Sequence, residues 1–201
     1  MSKRLLVICL TFLVVGLMLH GSARAQTKIT KPSGGLPYKI KTSGSYFLGS
    51  NLAVTTKTTT AIIVTASNVT INLNGFTISG LGATATSGVG INASAATGVT
   101  IANGVITGFG GDGILLGSNS TVENMQIYNN RGDGVDCGGT STACFVTGSV
   151  ITGNGEAGLD FSDVHSGFLN NVLNLNDTGT DVIGGTNLGG NVCSGNACPQ
   201  S

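Results

Sequence analysis

The sequence predicts an all-β protein, a right-handed parallel β-helix with about five or six coils of about 23 residues each. Three series of apolar residues recur along the chain in step with one another. The first series is Ile91, Ile114, Val135, Leu159 and Val182. The second is Ile101, Val122, Val146 and Leu169, and the third is Ile106, Ile127 and Ile151. Because the three series advance together, each repeat should contribute one short strand to each of three sheets.

The residues between the apolar positions favour strands and corners over helices. β-Branched residues alternate with polar ones and are interrupted by Gly, Asn, Ser and Asp, and no segment has the 3.6-residue apolar stripe of a helix. The leucine framework of a leucine-rich repeat is missing. A β-sandwich would need two-residue hairpin turns between antiparallel strands. The 33 glycines suit tight corners, where a positive φ is often required.

Asparagines recur at one corner of the predicted coils. They are Asn74, Asn103, Asn124 and Asn171, and Gly148 occupies the remaining coil. Coils stack about 4.8 Å apart, so amides at one corner can hydrogen-bond up the stack and satisfy groups that would otherwise be buried without a partner. We therefore interpret these asparagines as a structural ladder.

The chain begins with a pattern typical of a secretory signal peptide. Lys3 and Arg4 precede an apolar run over residues 5–19, and small residues at 23–25 suit a signal peptidase. The run is too short to span a bilayer, so no membrane span is expected after cleavage, and the location should be secreted or periplasmic. The predicted segments are 1–25 signal peptide, 26–60 N-terminal cap and first coil, 61–186 β-helix repeats and 187–201 C-terminal plug.

Four cysteines follow the predicted signal peptide. Export to an oxidising compartment favours disulfides. Local pairing of Cys137 with Cys144 and of Cys193 with Cys198 is preferred among the three possible connectivities, because each pair brackets a short loop. The spacing does not resemble a compact zinc knuckle.

Charge divides the predicted mature chain into two parts. Residues 26–111 contain five lysines and no acid, whereas all nine acids lie between Asp112 and Asp181, accompanied only by Arg131. The basic part lacks the clustered arginines and interleaved aromatics of a nucleic-acid-binding surface. Nucleic acid is therefore not an expected partner.

Several segments resemble the right-handed parallel β-helix repeat proteins of bacteria, which are relatives of the pectate-lyase-like superfamily. The similar segments are residues 60–64, 68–78, 98–104 and 184–187. The resemblance covers nearly all of residues 40–195 and implies the fold rather than one activity. Enzymes that resemble this fold often place catalysis on the outer face of one sheet.

One cluster of ionisable residues is predicted on such a face. If Ile114, Val135 and Leu159 point inward, then Asp136 and Asp160 point outward as neighbours one coil apart. Other ionisable residues should lie near them, namely Asp133, Glu156, Arg131, Asp163 and His165.

Three interpretations of the cluster stay open. Asp136 and Asp160 are candidate catalytic carboxylates of a glycosidase, with Arg131, Asp163 and His165 as candidate substrate-binding residues. A lyase would need a base, for which Arg131 is the available side chain. A possible Ca²⁺ site would use Asp133, Asp136, Asp160 and Asp163. The acids could also be corner residues and a solvated face.

The sequence favours a non-catalytic role. The chain has few coils, no tryptophan and no dense set of Asp, His, Arg and Lys. The leading hypothesis is an exported binding or structural module that faces a polysaccharide or a cell-surface glycan. The alternative is a polysaccharide hydrolase or lyase that uses the outward carboxylates. No cofactor is expected apart from the possible Ca²⁺, and the oligomeric state is left open.

Overall fold

The computed structural model describes residues 25–138, 143–161, 165–177, 180–194 and 196–198. The predicted signal peptide lies almost entirely outside the described residues. The strands, numbered in chain order, are β1 Thr27–Ile29, β2 Tyr38–Ile40, β3 Gly44–Leu48, β4 Leu52–Ala53, β5 Ile62–Val64, β6 Val69–Asn72, β7 Thr77–Ser79, β8 Ile91–Asn92, β9 Thr100–Thr107, β10 Ile114–Leu115, β11 Thr121–Tyr128, β12 Val135–Cys137, β13 Phe145–Thr147, β14 Val150–Thr152, β15 Leu159–Phe161, β16 Gly167–Leu169, β17 Val172–Asn174, β18 Val182–Ile183, β19 Thr186–Asn187, β20 Val192–Cys193 and β21 Asn196–Ala197. No helix among the described residues is long and apolar enough to cross a membrane.

The strands form a right-handed parallel β-helix, as predicted. Seven parallel strands make the first sheet, in the order β2-β5-β8-β10-β12-β15-β18. The other 14 strands form one sheet, because β9 and β11 are eight residues long and run around a corner. This large sheet therefore has two columns. We call them the second column, which includes β3, β6, β13 and β16, and the third column, which includes β7, β14 and β17.

The first and third apolar series form inward columns of the core, as predicted. In the first sheet, Ile114 pairs with Ile91 on one side and with Val135 on the other. In the third column, Ile127 pairs with Ile106 and Ile151. All six side chains are fully buried.

The second series is wrong at its last member. Val146 pairs with Phe168 rather than Leu169, and Phe168 is 1% exposed whereas Leu169 is half-buried on the outer side. The coil that ends there is one residue shorter than predicted. Since alternate residues of a strand face opposite sides, that one residue moves Leu169 out of the core.

The asparagine corner is confirmed at three positions and wrong at the fourth. Asn74, Asn103 and Asn124 have φ values of 54°, 60° and 53°. The next members of this left-handed corner are Gly148 and Asn170, with φ values of 60° and 55°. The predicted fourth member was Asn171, which follows the corner residue and has its side chain buried instead. The shortened coil explains this shift as well.

Hydrogen-bonded side-chain ladders do run up the helix, but at other corners. Asn130 donates from Nδ2 to Oδ1 of Asn154 at 3.0 Å, and Asn154 donates to Oδ1 of Asn176 at 2.9 Å. Asn176 in turn donates to the carboxylate of Asp181 at 2.9 Å. Oδ1 of Asn154 also accepts the backbone N–H of Asn130, and Oδ1 of Asn176 accepts the backbone N–H of Asn154. The ladder therefore satisfies buried corner groups that no strand can pair.

Asn171 belongs to a second buried ladder. Its Oδ1 accepts the N–H of Ser149 at 3.0 Å, and its Nδ2 donates to Oδ1 of Asn191 at 3.0 Å. The amide also reaches the carbonyl of Val146 at 2.9 Å. Asn171 is therefore structural, as predicted, but through a different corner.

Both predicted disulfides are present. Cys137 is bonded to Cys144, and Cys193 is bonded to Cys198. The second disulfide closes the antiparallel pair β20–β21, the one antiparallel pairing among the described strands. Asn187 donates from Nδ2 to the carbonyl of Cys198 at 3.1 Å, so this hairpin is tied to the last strand of the second column.

We predict that Asn154→Ala destabilises the protein by about 2–3 kcal/mol, because the N–H and the Nδ2 group of Asn130 lose their buried acceptor. Urea unfolding followed by circular dichroism measures the change. Asn124→Gly is the matched control, since Asn124 lies at an exposed left-handed corner that Gly148 occupies one coil later. Its effect should stay within about 0.5 kcal/mol. Equal losses in the two variants would contradict the ladder's structural role.

Candidate functional site

The outer face of the first sheet brings the predicted carboxylates together. Asp136 pairs with Asp160 in the register of β12 and β15, and both side chains are half-buried on the outer side. Leu115 precedes them in the same outward column and Ile183 follows them. Stacking one coil above another has therefore placed two like charges side by side.

A second pair of acids occupies the corner that leads into this sheet. Oδ1 of Asp112 accepts the N–H of Asp133 at 3.0 Å, and Oδ1 of Asp133 accepts the N–H of Ala157 at 2.7 Å. Each corner carboxylate thus caps a backbone donor of the next coil. Both acids are the central residue of a Gly-Asp-Gly segment, at 111–113 and 132–134, and this arrangement agrees with the interpretation of the acids as corner residues.

Asp133, Asp136 and Asp160 form an acidic trio. One carboxylate oxygen from each residue lies within 4.8 Å of the others. Asp136 also accepts the N–H of Gly138, whereas no hydrogen bond from the described residues reaches the carboxylate of Asp160. Asp163, the fourth predicted metal ligand, lies outside the described residues.

Burial makes the trio unusually basic for aspartates. Burial, together with repulsion from nearby carboxylates, raises the pKa of Asp133 to about 7 against the opposing effect of the Ala157 N–H. The pKa of Asp136 rises to about 6, again mainly through burial. Burial also raises the pKa values of Asp112 and Asp160. A proton or a cation between these groups would relieve their repulsion.

The trio alone provides only part of a calcium coordination shell. Ca²⁺ takes about six to eight oxygen ligands, and oxygens of Asp133 and Asp136 already accept backbone N–H groups. A protonated carboxyl next to an ionised one is also the pairing that glycosidases use. The geometry therefore suits proton sharing directly, and it suits a cation only with further ligands.

Arg131 was predicted to lie beside the acids, and one nitrogen of its guanidinium bonds the main chain of another coil. Nη1 donates to the carbonyl of Ala85 at 3.0 Å, in the long connection between β7 and β8. The sequence separation of 46 residues between these two hid this contact. His165 is exposed in the loop after β15.

Arg131 instead lines a cleft at the corner between the third column and the first sheet. The cleft has a volume of about 610 Å³. Its lining residues are Gly82, Ala83, Asn129, Asn130, Arg131, Gly153 and Gly155. We call it the Arg131 cleft. Sequence analysis missed it, because the residues come from three separate coils.

The sequence analysis also missed an uncharged polar column beside this cleft. The outward residues that end the third-column strands are Ser79, Thr107, Tyr128, Thr152 and Asn174, paired rung by rung. We call this column the polar face. None of its side chains makes a hydrogen bond with the described residues. Each residue directly follows a member of an inward apolar column, so the periodicity contained the signal for it.

Parallel coils, three strand columns and stacked corners define the class as a parallel β-helix. The chain belongs to the family described as "Right handed beta helix region", whose model matches residues 39–197. No curated protein and no solved structure matches the chain.

We predict that stability falls as the pH rises from about 4 to about 7. An unfolded aspartate has a pKa near 3.9, below the raised values of Asp133 and Asp136, so the folded state binds more protons in this range. The Tm should be several degrees higher at pH 5 than at pH 7.5, measured by calorimetry. Asp133→Asn should flatten this dependence, because the amide oxygen still accepts the Ala157 N–H without a charge.

Glu123→Gln, on an outward position of the second column, is the control and should leave the pH dependence unchanged. A flat wild-type profile would contradict proton sharing. Stabilisation at pH 7.5 by millimolar Ca²⁺, lost in Asp136→Asn, would identify a cation site instead.

Proposed function

We propose that the protein is an exported, non-catalytic β-helix module that binds a glycan on a cell surface or in a polysaccharide matrix. The observation that carries this proposal is the polar face, on which five successive rungs each present a hydroxyl or an amide. Rungs lie about 4.8 Å apart, so the polar face spans about 19 Å. An extended saccharide can bond several such groups in succession.

Export is supported by the two disulfides, which suit an oxidising compartment. Within the part of the chain that the structure describes, the side chains of the polar face are also left without hydrogen bonds to the protein. Its hydroxyls and its amide make no hydrogen bonds with the described residues, whereas the amides of Asn130, Asn154 and Asn176 are all used internally. A glycan bound there would form hydrogen bonds without breaking any that hold the coils together.

A second candidate function is glycoside hydrolysis by the acidic trio. The raised pKa values of Asp133 and Asp136, next to Asp160, favour it, since a general acid must hold a proton near neutral pH. Asp133 and Asp136, however, already accept backbone N–H groups. Lyase chemistry has less support, because the guanidinium of Arg131 is directed to the carbonyl of Ala85.

We predict that a glycan array shows saccharide binding by the purified protein, and that Tyr128→Ala weakens this binding about tenfold or more. Tyr128 supplies the aromatic ring and a hydroxyl at the centre of the polar face. Thr152→Val removes one further hydroxyl at nearly constant volume and should weaken binding by a smaller factor. Thr70→Val is the matched control, because Thr70 points outward from the second column.

The same preparations should release no reducing sugar and no unsaturated product from a panel of neutral and acidic polysaccharides. Release of reducing ends that is lost in Asp160→Asn would establish the hydrolase instead. Failure of every glycan to bind would overturn the proposed function.

A further inference from the structure

The Arg131 cleft is an open recess at the corner between the third column and the first sheet. The 3-10 turn Gly82–Thr84, in the long connection between β7 and β8, contributes Gly82 and Ala83 to its lining. Gly153 and Gly155 also line it and pack closely against Asn129 and the backbone of Arg131. Its volume of about 610 Å³ lies within the range of sites for small ligands, roughly 300 to 1,000 Å³.

The cleft also holds the hydrogen-bonding groups that a sugar ring needs. Nη1 of Arg131 is fixed by the carbonyl of Ala85, and a guanidinium has five N–H donors, so further donors remain. Asn129 has a left-handed backbone with φ of 56°, and its residue is exposed at the rim. Its amide offers both donors and an acceptor. Arg131 is itself exposed, so its remaining donors are accessible to a ligand.

The position of the cleft links it to the polar face. Tyr128, the central residue of the polar face, immediately precedes Asn129 in the chain. Thr152 likewise immediately precedes Gly153 in the next coil. A saccharide that lies across the polar face at these two rungs therefore meets the cleft directly.

Acidic residues outnumber cationic ones in the surroundings of the cleft. Arg131 is the one cationic residue after Lys57, whereas Glu156 is exposed one position beyond Gly155. Asp112, Asp133 and the rest of the acidic trio lie on the adjoining corner and first sheet. A carboxylated or sulfated chain would gain one cationic contact and meet several like charges.

We propose that the Arg131 cleft seats one end of a neutral saccharide whose remaining units lie on the polar face. This inference rests on the proposed function, since it names the subsite and the sugar class for the same glycan. Arg131 and Asn129 would bond ring hydroxyls, and the 3-10 turn would enclose the terminal unit.

Isothermal titration with a neutral oligosaccharide taken from the array tests this assignment. Ala83→Phe should fill the cleft and weaken binding about tenfold or more, because Ala83 is exposed and lines the wall. Ala95→Phe, an exposed alanine in the turn after β8, is the matched control and should change affinity less than about twofold. Arg131→Ala should also weaken binding. Since that change could also shift the loop, Ala83→Phe with a wild-type Tm is the decisive variant.

Oligosaccharides of equal length with and without carboxylate or sulfate groups test the sugar class. The neutral form should bind more tightly, and the difference should shrink at high salt as screening increases. Tighter binding of the anionic form would overturn the assignment of class. Binding that is lost in Tyr128→Ala but unchanged in Ala83→Phe and Arg131→Ala would overturn the cleft and leave the proposed function standing.

Discussion

Hydrogen bonding from coil to coil is the constraint on which the rest of this structure depends. Each interior strand is held by the strands one coil above and one coil below, so the position of a residue is fixed by its counterparts in neighbouring coils. At the corners, many backbone N–H groups also bond a carbonyl of the adjacent coil, and the buried ladder through Asn130, Asn154 and Asn176 bonds groups that this backbone pairing leaves over. Side chains that fix the register of the corners thereby fix the register of all three strand columns.

The same constraint explains the concentration of carboxyl groups. A repeated Gly-Asp-Gly corner places Asp112 above Asp133, and the strand that follows places Asp136 beside Asp160. Proximity of like charges would destabilise the stack, but backbone N–H groups of the next coil bond the corner carboxylates. Burial and mutual repulsion then raise the pKa of Asp133, so that protonation relieves the repulsion that remains despite these N–H groups. Acid stacking is in this sense a consequence of the fold.

Sequence periodicity predicted the fold, two of the three inward columns and the pairing of Asp136 with Asp160, and the short loops between the cysteines predicted both disulfides. It was wrong by one residue for Phe168 and again for Asn170, because both follow the same shortened coil. The number of residues in one coil includes its corners as well as its strands. Counting along the sequence therefore cannot show whether a missing residue falls in a corner or in a strand. The contact of Arg131 with Ala85 was missed for another reason, since Ala85 lies 46 residues away in a connection that no repeat contains.

The outward columns differ in how many of their hydrogen-bonding groups are not already used within the fold. Asp133 lies at the edge of the first sheet and Asp136 on its face. Each accepts a backbone N–H, so part of its capacity to accept hydrogen bonds is already used within the fold. The polar face repeats hydroxyl and amide groups at the same spacing, yet none of them bonds the described residues.

Binding along such a face gains from repetition, because each added sugar meets another rung once the first contacts have fixed the direction of the saccharide. Repetition alone does not fix where a linear ligand stops. In the proposed mode of binding, the Arg131 cleft beside the central rungs would give one unit of the ligand a defined position.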